Sequence, residues 1–310
     1  MREEKIVVLA GGPSCEREVS LSSGKAVFDA LSSRGLSVRL LDPVGDFIRE
    51  LKKEKVTVVF IALHGEFGED GTLQGLLEEA NIAYTGSGPG ASELAFHKSK
   101  SQFIFKQAKL PVPEFYVSAE KDFSGASSSK MNFPVVVKPS AAGSSFGVSV
   151  VFSASDFQKA CREAFRYSHE ILVERYIRGR ELTVGILEEK PLPIVEVMAR
   201  RSFYDYEAKY KDAGTRYECP AKLEAGLARQ LQKIAVHAHQ ALGCEVMSRA
   251  DFILGGDGSV FLLEINTIPG LTGKSLLPKA AKAAGVDFPG LCVKILESSL
   301  KKRLLSWSNR

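Results

Sequence analysis

Three oxygen-bearing side chains in the last third of the chain carry its strongest chemical signal. Asp251, Glu264 and Asn266 border or belong to the stretch FILGGDGSVFLLEINTIPGLTGKSL, Phe252 to Leu276. It reads as two short apolar strands joined by a Gly-Gly-Asp-Gly turn, the first opening after Asp251 and the second ending at Glu264-Ile265-Asn266. Gly and Asp supply the positive-φ positions that a tight hairpin needs. Alternation along a strand points Glu264 and Asn266 the same way, and the hairpin can bring Asp251 beside them. Two carboxylates and an amide suit a hard cation such as Mg²⁺, which is usually shared with substrate phosphates. A polar hairpin rim would have the same composition, so phosphate-binding groups elsewhere must separate the two readings.

Candidates for those groups lie in the middle of the chain. Lys138 ends the otherwise apolar run FPVVVKP, Phe133 to Pro139. A Lys in a buried strand costs free energy unless it is paired, and phosphate is a natural partner. The next residues, Ala141-Ala142-Gly143-Ser144-Ser145-Phe146-Gly147, form a loop of small side chains whose N–H groups and hydroxyls can close over phosphates. Alone, that loop is equally a plain turn. Farther on, Glu174-Arg175-Tyr176-Ile177 is an extended segment that could read adenine through its backbone, with Glu181 on ribose hydroxyls. By itself this pattern is also that of a charged edge hairpin.

The elements needed to position these residues follow from periodicity. Lys5 to Ala10, Leu36 to Leu41, Val56 to Leu63 and Ile82 to Thr85 read as strands. Between them, helices are expected over Cys15–Ser33, Asp46–Glu54 and Thr72–Ala80. Such βαβα alternation predicts a small parallel sheet with helices on both faces and a ligand crevice at the strand C-termini. Those ends carry Gly11-Gly12, His64-Gly65 and Gly86-Ser87-Gly88. One helix is expected from Ser92 to Lys109. Strands over Phe133–Pro139, Val148–Phe152, Glu170–Tyr176 and Glu181–Leu187, with a helix over Ser155–Tyr167, then give an α+β pattern. The last region predicts a strand (Pro193–Met198), a helix (Ala225–Leu242), the hairpin, and helices over Leu276–Ala284 and Phe288–Leu305.

Two short motifs are decoys. Gly86-Ser87-Gly88-Pro89-Gly90-Ala91 satisfies G-x-G-x-x-A, but it is not the first βα turn and no acidic residue follows at ~20 positions for a ribose. It reads as a turn joining domains. Gly270-Leu271-Thr272-Gly273-Lys274-Ser275 has Ile268 where a phosphate-binding Walker loop needs Gly.

The bulk numbers set outer limits. With 310 residues the chain can hold two or three domains. A net charge of +4 is too small to argue for nucleic acid. No apolar run approaches the ~18 residues of a membrane span, and the start MREEK is not a signal peptide. The five cysteines, Cys15, Cys161, Cys219, Cys244 and Cys292, are scattered, as expected of reduced thiols in a cytoplasmic protein. Cys15 lies in a Gly-rich turn without a sequence-local partner, and an incidental small residue is the simpler reading.

Taken in order, a Lys ending a strand, a small-residue loop, an E-x-x-x-x-G-x-E hairpin and a D…E-x-N hairpin resemble the ATP-grasp ligases. Within that superfamily the chain is similar to the D-alanine–D-alanine ligases. The matching pieces are GGPSCEREVSLSSG, FIALHGEFGEDGTLQGLLE, YTGSGP, VVKPSAAGSSFGVS, FYDYEAKY and LLEINTIPGLTGKSLLP, spread over nearly the whole chain. The resemblance implies an α/β and α+β architecture of the ATP-grasp type. An N-terminal parallel-sheet domain (1–88) would precede a central small subdomain (89–178) and a C-terminal substrate domain (179–310) that clasp ATP between them.

It also implies roles. Lys98 and Lys138 would hold ATP phosphates under a lid of Gly143-Ser144-Ser145, and Lys209 would reach the γ-phosphate. Glu174, Arg175, Ile177 and Glu181 would frame the adenosine. Asp251, Glu264 and Asn266 would hold two Mg²⁺ or Mn²⁺, typically ~3.5–4 Å apart in two-metal sites. Glu16 would pair with the ammonium of the first D-alanine, with His64 close by, and Ser275 with Leu276 would receive the second carboxylate. Tyr210, Ser144 and Glu16 would form a hydrogen-bonded chain, while Arg249 and the N–H of Gly270 would stabilise the oxyanion. The implied activity is ADP-forming ligation of two D-alanine molecules through an acyl phosphate, for peptidoglycan synthesis in the cytoplasm. A homodimer is expected, with no membrane or nucleic-acid partner.

Some positions depart from the family's wording. Ser248-Arg249-Ala250-Asp251 stands for Gly-Arg-Ile-Asp, Arg175 for Lys, His97 for Asp, and Lys274 for His. Arg and Lys are not interchangeable at a stacked site. Alternatives are a ligase that joins D-alanine to D-lactate or D-serine, another ATP-grasp carboxylate–amine ligase, a non-catalytic nucleotide-binding module, and an NAD-linked dehydrogenase using the Gly86 turn.

Overall fold

Runs of β-branched and apolar residues bounded by glycine turns become the strands of three separate sheets. The computed structural model describes residues 4–124, 129–198 and 214–308 of the chain. The first region alternates β1 (Ile6–Leu9), α1 (Arg17–Ser33), β2 (Val38–Leu41), α2 (Phe47–Lys53), β3 (Val58–Ile61), α3 (Thr72–Glu79) and β4 (Ala83–Tyr84). Its strands form an all-parallel sheet in the order β2-β1-β3-β4. Alternate residues feed two cores. Ile6, Val8, Val58 and Phe60 pack on Val27 and Leu31 of α1, whereas Val7, Leu9, Val59 and Ile61 pack on Phe47, Leu51, Leu73 and Leu77.

Next come α4 (Pro89–Phe96) and α5 (Lys98–Gln107), where the sequence predicts one helix from Ser92 to Lys109. Pro89 at the first helical turn starts α4 early. His97 then leaves the helix, with ψ at 96°, and bridges to Ala141. The Lys98 N–H donates to the Ser140 carbonyl at 2.7 Å. A tertiary backbone pairing thus overrides local helix propensity, and Lys98 becomes the first residue of a new helix.

A second sheet follows, antiparallel in the order β5-β8-β6-β7, from β5 (Phe115–Ala119), β6 (Val135–Pro139), β7 (Ser149–Val151) and β8 (Glu170–Arg175). Helix α6 (Ala154–Phe165) covers one face through Phe157, Ala160, Cys161 and Ala164. The third sheet has β9 (Gly179–Leu187), β10 (Lys190–Pro191), β11 (Val195–Met198) and β12 (Arg216–Glu218), then α7 (Ala225–Ala241), β13 (Met247–Gly255) and β14 (Val260–Asn266). Its order is β12-β11-β9-β13-β14, with β10 on β9. Strands β5, β10 and β12 are additional to those expected. The first hairpin strand opens at Met247, not after Asp251, so Arg249 and Asp251 lie inside it.

Helices α4, α5 and α7 share a core with β9, β13 and β14. The final helices, α8 (Leu276–Ala283) and α9 (Phe288–Ser308), return to the first sheet, burying Leu277, Ala280, Leu291 and Ile295 against the Ile6, Val8 and Phe60 face. Ile268 and Leu271, just past the hairpin, enter the two cores of that sheet. The hairpin is therefore tied to the N-terminal region at the segment that carries Gly270 and Ser275.

Close approach of α1 to β1 offers a test. A methyl group at Gly24 would overlap the Ala10 side chain. Ala gains about 0.5–1 kcal/mol over Gly inside a helix, whereas overpacking costs roughly 1–3 kcal/mol. Gly24→Ala is expected to lower stability, read as a fall in the urea midpoint at unchanged m value.

Candidate functional site

Strand register builds the acidic centre. Across β13 and β14, Arg249 pairs with Asn266 and Asp251 with Glu264, and on the other side Asp251 pairs with Thr183 of β9. One sheet face therefore presents Arg249, Asp251, Glu264 and Asn266 together. Like charges directly opposite each other destabilise a sheet, and two cations offset this pair. The Arg249 guanidinium donates to both Asp251 oxygens, at 2.8 and 2.7 Å. The Lys98 ammonium, at the start of α5, lies 3.5 Å from Glu264 and donates to the Ala142 carbonyl at 2.6 Å.

The donor chemistry of this face fits a hard divalent cation: two carboxylates and an amide oxygen, already surrounded by positive charge. Each Asp251 oxygen keeps a second lone pair beyond its bond from Arg249. Asn266 Oδ1 accepts from the Ile268 N–H at 2.8 Å, which orients the amide. Among the described residues no three His, Cys, Asp or Glu cluster as metal ligands, so an amide is needed as the third donor.

Opposite the hairpin stands the end of β6. Lys138, only 7% exposed, forms an ion pair with Glu174 of β8 at 2.8 Å. Glu174 is 2% exposed, and its Oε1 makes no hydrogen bond. The sequence leaves the partner of a buried Lys open, and the structure supplies a carboxylate as well as access to the cleft. Arg175, next along β8, is exposed and lies 5.6 Å over the Phe261 ring, and Ile177 and Glu181 are half-buried.

The small-residue loop crosses to the N-terminal region. Ser144 and Ser145 adopt left-handed φ of 48° and 60°, which for non-glycine residues costs of order 1–3 kcal/mol each. The Ser144 hydroxyl donates to the buried Glu16 carboxylate, and any side chain at Gly143 would overlap that same carboxylate. Glu16 follows the Gly11–Gly12 turn, which Asp42 holds by accepting from the Gly12 N–H at 2.9 Å and from Arg17. The Arg17 guanidinium holds the Asp42 carboxyl below its usual range.

Around His64 the structure adds Ser23 and Glu69, which the sequence pattern did not single out. His64 Nε2 lies 2.9 Å from the Ser23 hydroxyl, and its Nδ1 faces Glu69 at 3.8 Å. Glu69 accepts from the Gly65 N–H at 2.6 Å. All three are buried. A buried carboxylate five positions past His64 in HGEFGED was the available signal. Partial burial, reinforced by Glu16, pushes the Cys15 thiol up, away from a reactive thiolate.

Ser275 occupies the N-cap position of α8 without a capping hydrogen bond from its side chain, and its hydroxyl instead meets the Thr272 N–H and Oγ1 at 3.2 and 2.9 Å. Gly270 approaches so closely that a Cβ would come within 2.9 Å of the Ser275 hydroxyl. Lys274 is exposed beside it. Burial, then Lys274, holds the Lys279 ammonium below its usual range.

All these groups converge on one cleft of about 1260 Å³. It is lined by Glu16, His64, Lys98, Lys138, Ser144, Ser145, Glu174, Arg175, Ile177 and Glu181, together with Arg249, Asp251, Glu264, Asn266, Gly270, Ser275 and Leu276. Lys209 and Tyr210 lie outside the described residues. The Gly86 turn is engaged elsewhere: the Gly86 N–H meets the Ser299 hydroxyl, and Ser87 bonds to the Glu245 backbone.

Comparison with known proteins gives matches over nearly the whole chain. A family model described as D-ala D-ala ligase C-terminus matches residues 104–297, and one described as D-ala D-ala ligase N-terminus matches residues 43–87. The chain is 46% identical over 302 residues to a D-alanine–D-alanine ligase of Geotalea uraniireducens, covering 97% of each. Among solved structures it resembles the Bacillus anthracis D-alanine–D-alanine ligase complexed with ATP, at TM-score 0.86, 31% identity, and 97% and 99% coverage of the two chains. It also resembles the VanG D-Ala:D-Ser ligase of Enterococcus faecalis, at TM-score 0.80, 27% identity, and 96% and 99% coverage.

The buried Lys138–Glu174 pair yields a stability test on the ligand-free protein. Lys138→Ala leaves Glu174 uncompensated and is expected to cost about 3–5 kcal/mol. The double variant Lys138→Met/Glu174→Leu should recover most of that loss. Urea unfolding of both variants measures it.

Proposed function

The chain belongs to the D-alanine–D-alanine ligase family, and on that premise we propose how its residues divide the reaction. The enzyme joins two D-alanine molecules into D-alanyl-D-alanine, with ATP converted to ADP and phosphate, in peptidoglycan synthesis. The observation that carries the residue assignment is the Asp251–Glu264 pair, flanked by Arg249 and Lys98, in the same cleft as Glu16.

In this reading, ATP lies between the second and third sheets. Glu174, Arg175, Ile177 and Glu181 frame the adenosine, and Lys98 and Lys138 take the phosphates. Asp251, Glu264 and Asn266 would hold two Mg²⁺ or Mn²⁺, which when bound neutralise charge on the transferring phosphoryl group. Glu16 pairs with the ammonium of the first D-alanine beside His64. The carboxylate oxygen of that D-alanine attacks the γ-phosphorus, releasing ADP and leaving an acyl phosphate.

The amine of the second D-alanine then attacks that carbonyl carbon, and inorganic phosphate departs. Arg249 and the Gly270 N–H stabilise the oxyanion, a donor pair of the kind whose loss costs ~2.7–4 kcal/mol. The N-terminus of α8, at Ser275 and Leu276, receives the second carboxylate, as helix N-termini favour anions. The Ser144 loop excludes water from the acyl phosphate. Lys209 at the γ-phosphate and Tyr210 beside Ser144 complete the assignment from family resemblance. A homodimer in the cytoplasm, divided at 1–88, 89–178 and 179–310, is part of the same proposal; no described helix is long and apolar enough to cross a membrane.

D-Alanine alone with ATP should release ADP and form the dipeptide, followed by coupled ADP assay and mass spectrometry. Turnover that waits for added D-lactate or D-serine would replace the second-substrate assignment. Asp251→Asn is expected to lower turnover about a hundredfold or more, with unfolding free energy changed by only about 1 kcal/mol. Wild-type activity in that variant would remove Asp251 from the metal set.

A further inference from the structure

The acidic pair depends on an irregularity in β14. From Leu254 to Phe252 the partners run in regular antiparallel order, Leu254 with Val260, Ile253 with Phe261 and Phe252 with Leu262. Regular continuation would set Asp251 opposite Leu263. Instead the register shifts, Asp251 faces Glu264, and Leu263 is the extra residue of a β-bulge. Without the bulge, Glu264 would fall one place out of step with Asp251 and on the other face.

A bulge leaves backbone groups out of the ladder, and buried groups of that kind need another partner. Here the partner comes from α5. Gln102, fully buried, donates its amide to the Leu263 carbonyl at 2.6 Å and approaches the Leu262 carbonyl at 3.4 Å. Pro111, just beyond α5, accepts from the Leu262 N–H at 2.7 Å. One turn before Gln102 on the same helix face, Lys98 reaches Glu264. The Gln102 Oε1 makes no hydrogen bond.

We propose that Gln102 is a positioning residue for the divalent-cation site: by holding the Leu263 bulge it fixes Glu264 beside Asp251. The proposal rests on the reading of Asp251, Glu264 and Asn266 as cation ligands. It assigns a functional consequence to a buried residue that does not line the cleft. Gln102→Met keeps the side-chain length and removes the donor. It also removes the orphaned Oε1, while taking the donor from the Leu263 carbonyl and the longer contact from the Leu262 carbonyl.

The test measures binding of Mn²⁺ with a non-hydrolysable ATP analogue by electron paramagnetic resonance, beside thermal unfolding of the ligand-free chain. Gln102→Met is expected to weaken Mn²⁺ binding about tenfold or more, in the range seen when outer partners of metal ligands are lost, with little change in unfolding midpoint. Asp251→Asn serves as reference. Weakened Mn²⁺ binding in Asp251→Asn but not in Gln102→Met overturns the role of Gln102 and leaves the cation site standing. Unchanged binding in both variants overturns the ligand assignment and the proposal with it. A large fall in midpoint with unchanged Mn²⁺ affinity reduces Gln102 to a packing residue.

Discussion

Two carboxylates held side by side are the constraint around which this molecule is arranged. Asp251 and Glu264 face each other across β13 and β14, a placement that costs free energy by like-charge repulsion. The surroundings offset it with cations drawn from different elements: Arg249 two residues along the same strand, and Lys98 from the start of a helix more than a hundred residues earlier. A site that concentrates opposite charges on one face before its ligand arrives needs little rearrangement to receive a phosphorylated ligand and its counter-ions.

Each cation depends on packing elsewhere. Lys98 reaches Glu264 because the chain leaves the helix at His97, pairs with Ala141 and restarts. The same interruption places the Lys98 ammonium on the Ala142 carbonyl, in the loop whose Ser144 bonds to Glu16. One short segment thus ties the Ser144 loop, the acidic hairpin and Glu16 together. Lys138 and Glu174 show the other solution to buried charge, a close pair at 2.8 Å. Such a pair contributes little net stability, since desolvation offsets much of the attraction.

The two ends of the chain are interleaved. Ile268 and Leu271 plug into the N-terminal sheet, and α8 and α9 cover one of its faces. Gly270 and Ser275 are therefore held between a strand of one sheet and the core of another. The third sheet and the N-terminal sheet meet in one core, where Leu187, Val195 and Met247 join Ile6, Val8 and Phe60.

Much of this was legible in the residues. Apolar runs such as IVVL and VVFI, short and bounded by glycine turns, read as buried strands, and strand alternation by itself puts Glu264 and Asn266 on one face. Lys138, alone in an apolar strand, announced a need for an opposite charge. Long-range pairing is what local pattern does not carry. Nothing in ELAFHKSK marks His97 as a break, because the partner that stops the helix is a backbone forty-four residues away. Nothing in VFLLEIN marks Leu263 as a bulge, because the group that holds its carbonyl is the amide of Gln102 on another element. The sequence alone determined which side chains carry the charge and which strands are buried, since both follow from residue type and period. Which carboxylate meets which, and which cation answers it, was decided only by tertiary structure, because register and helix interruption are set by contacts between segments far apart in the chain.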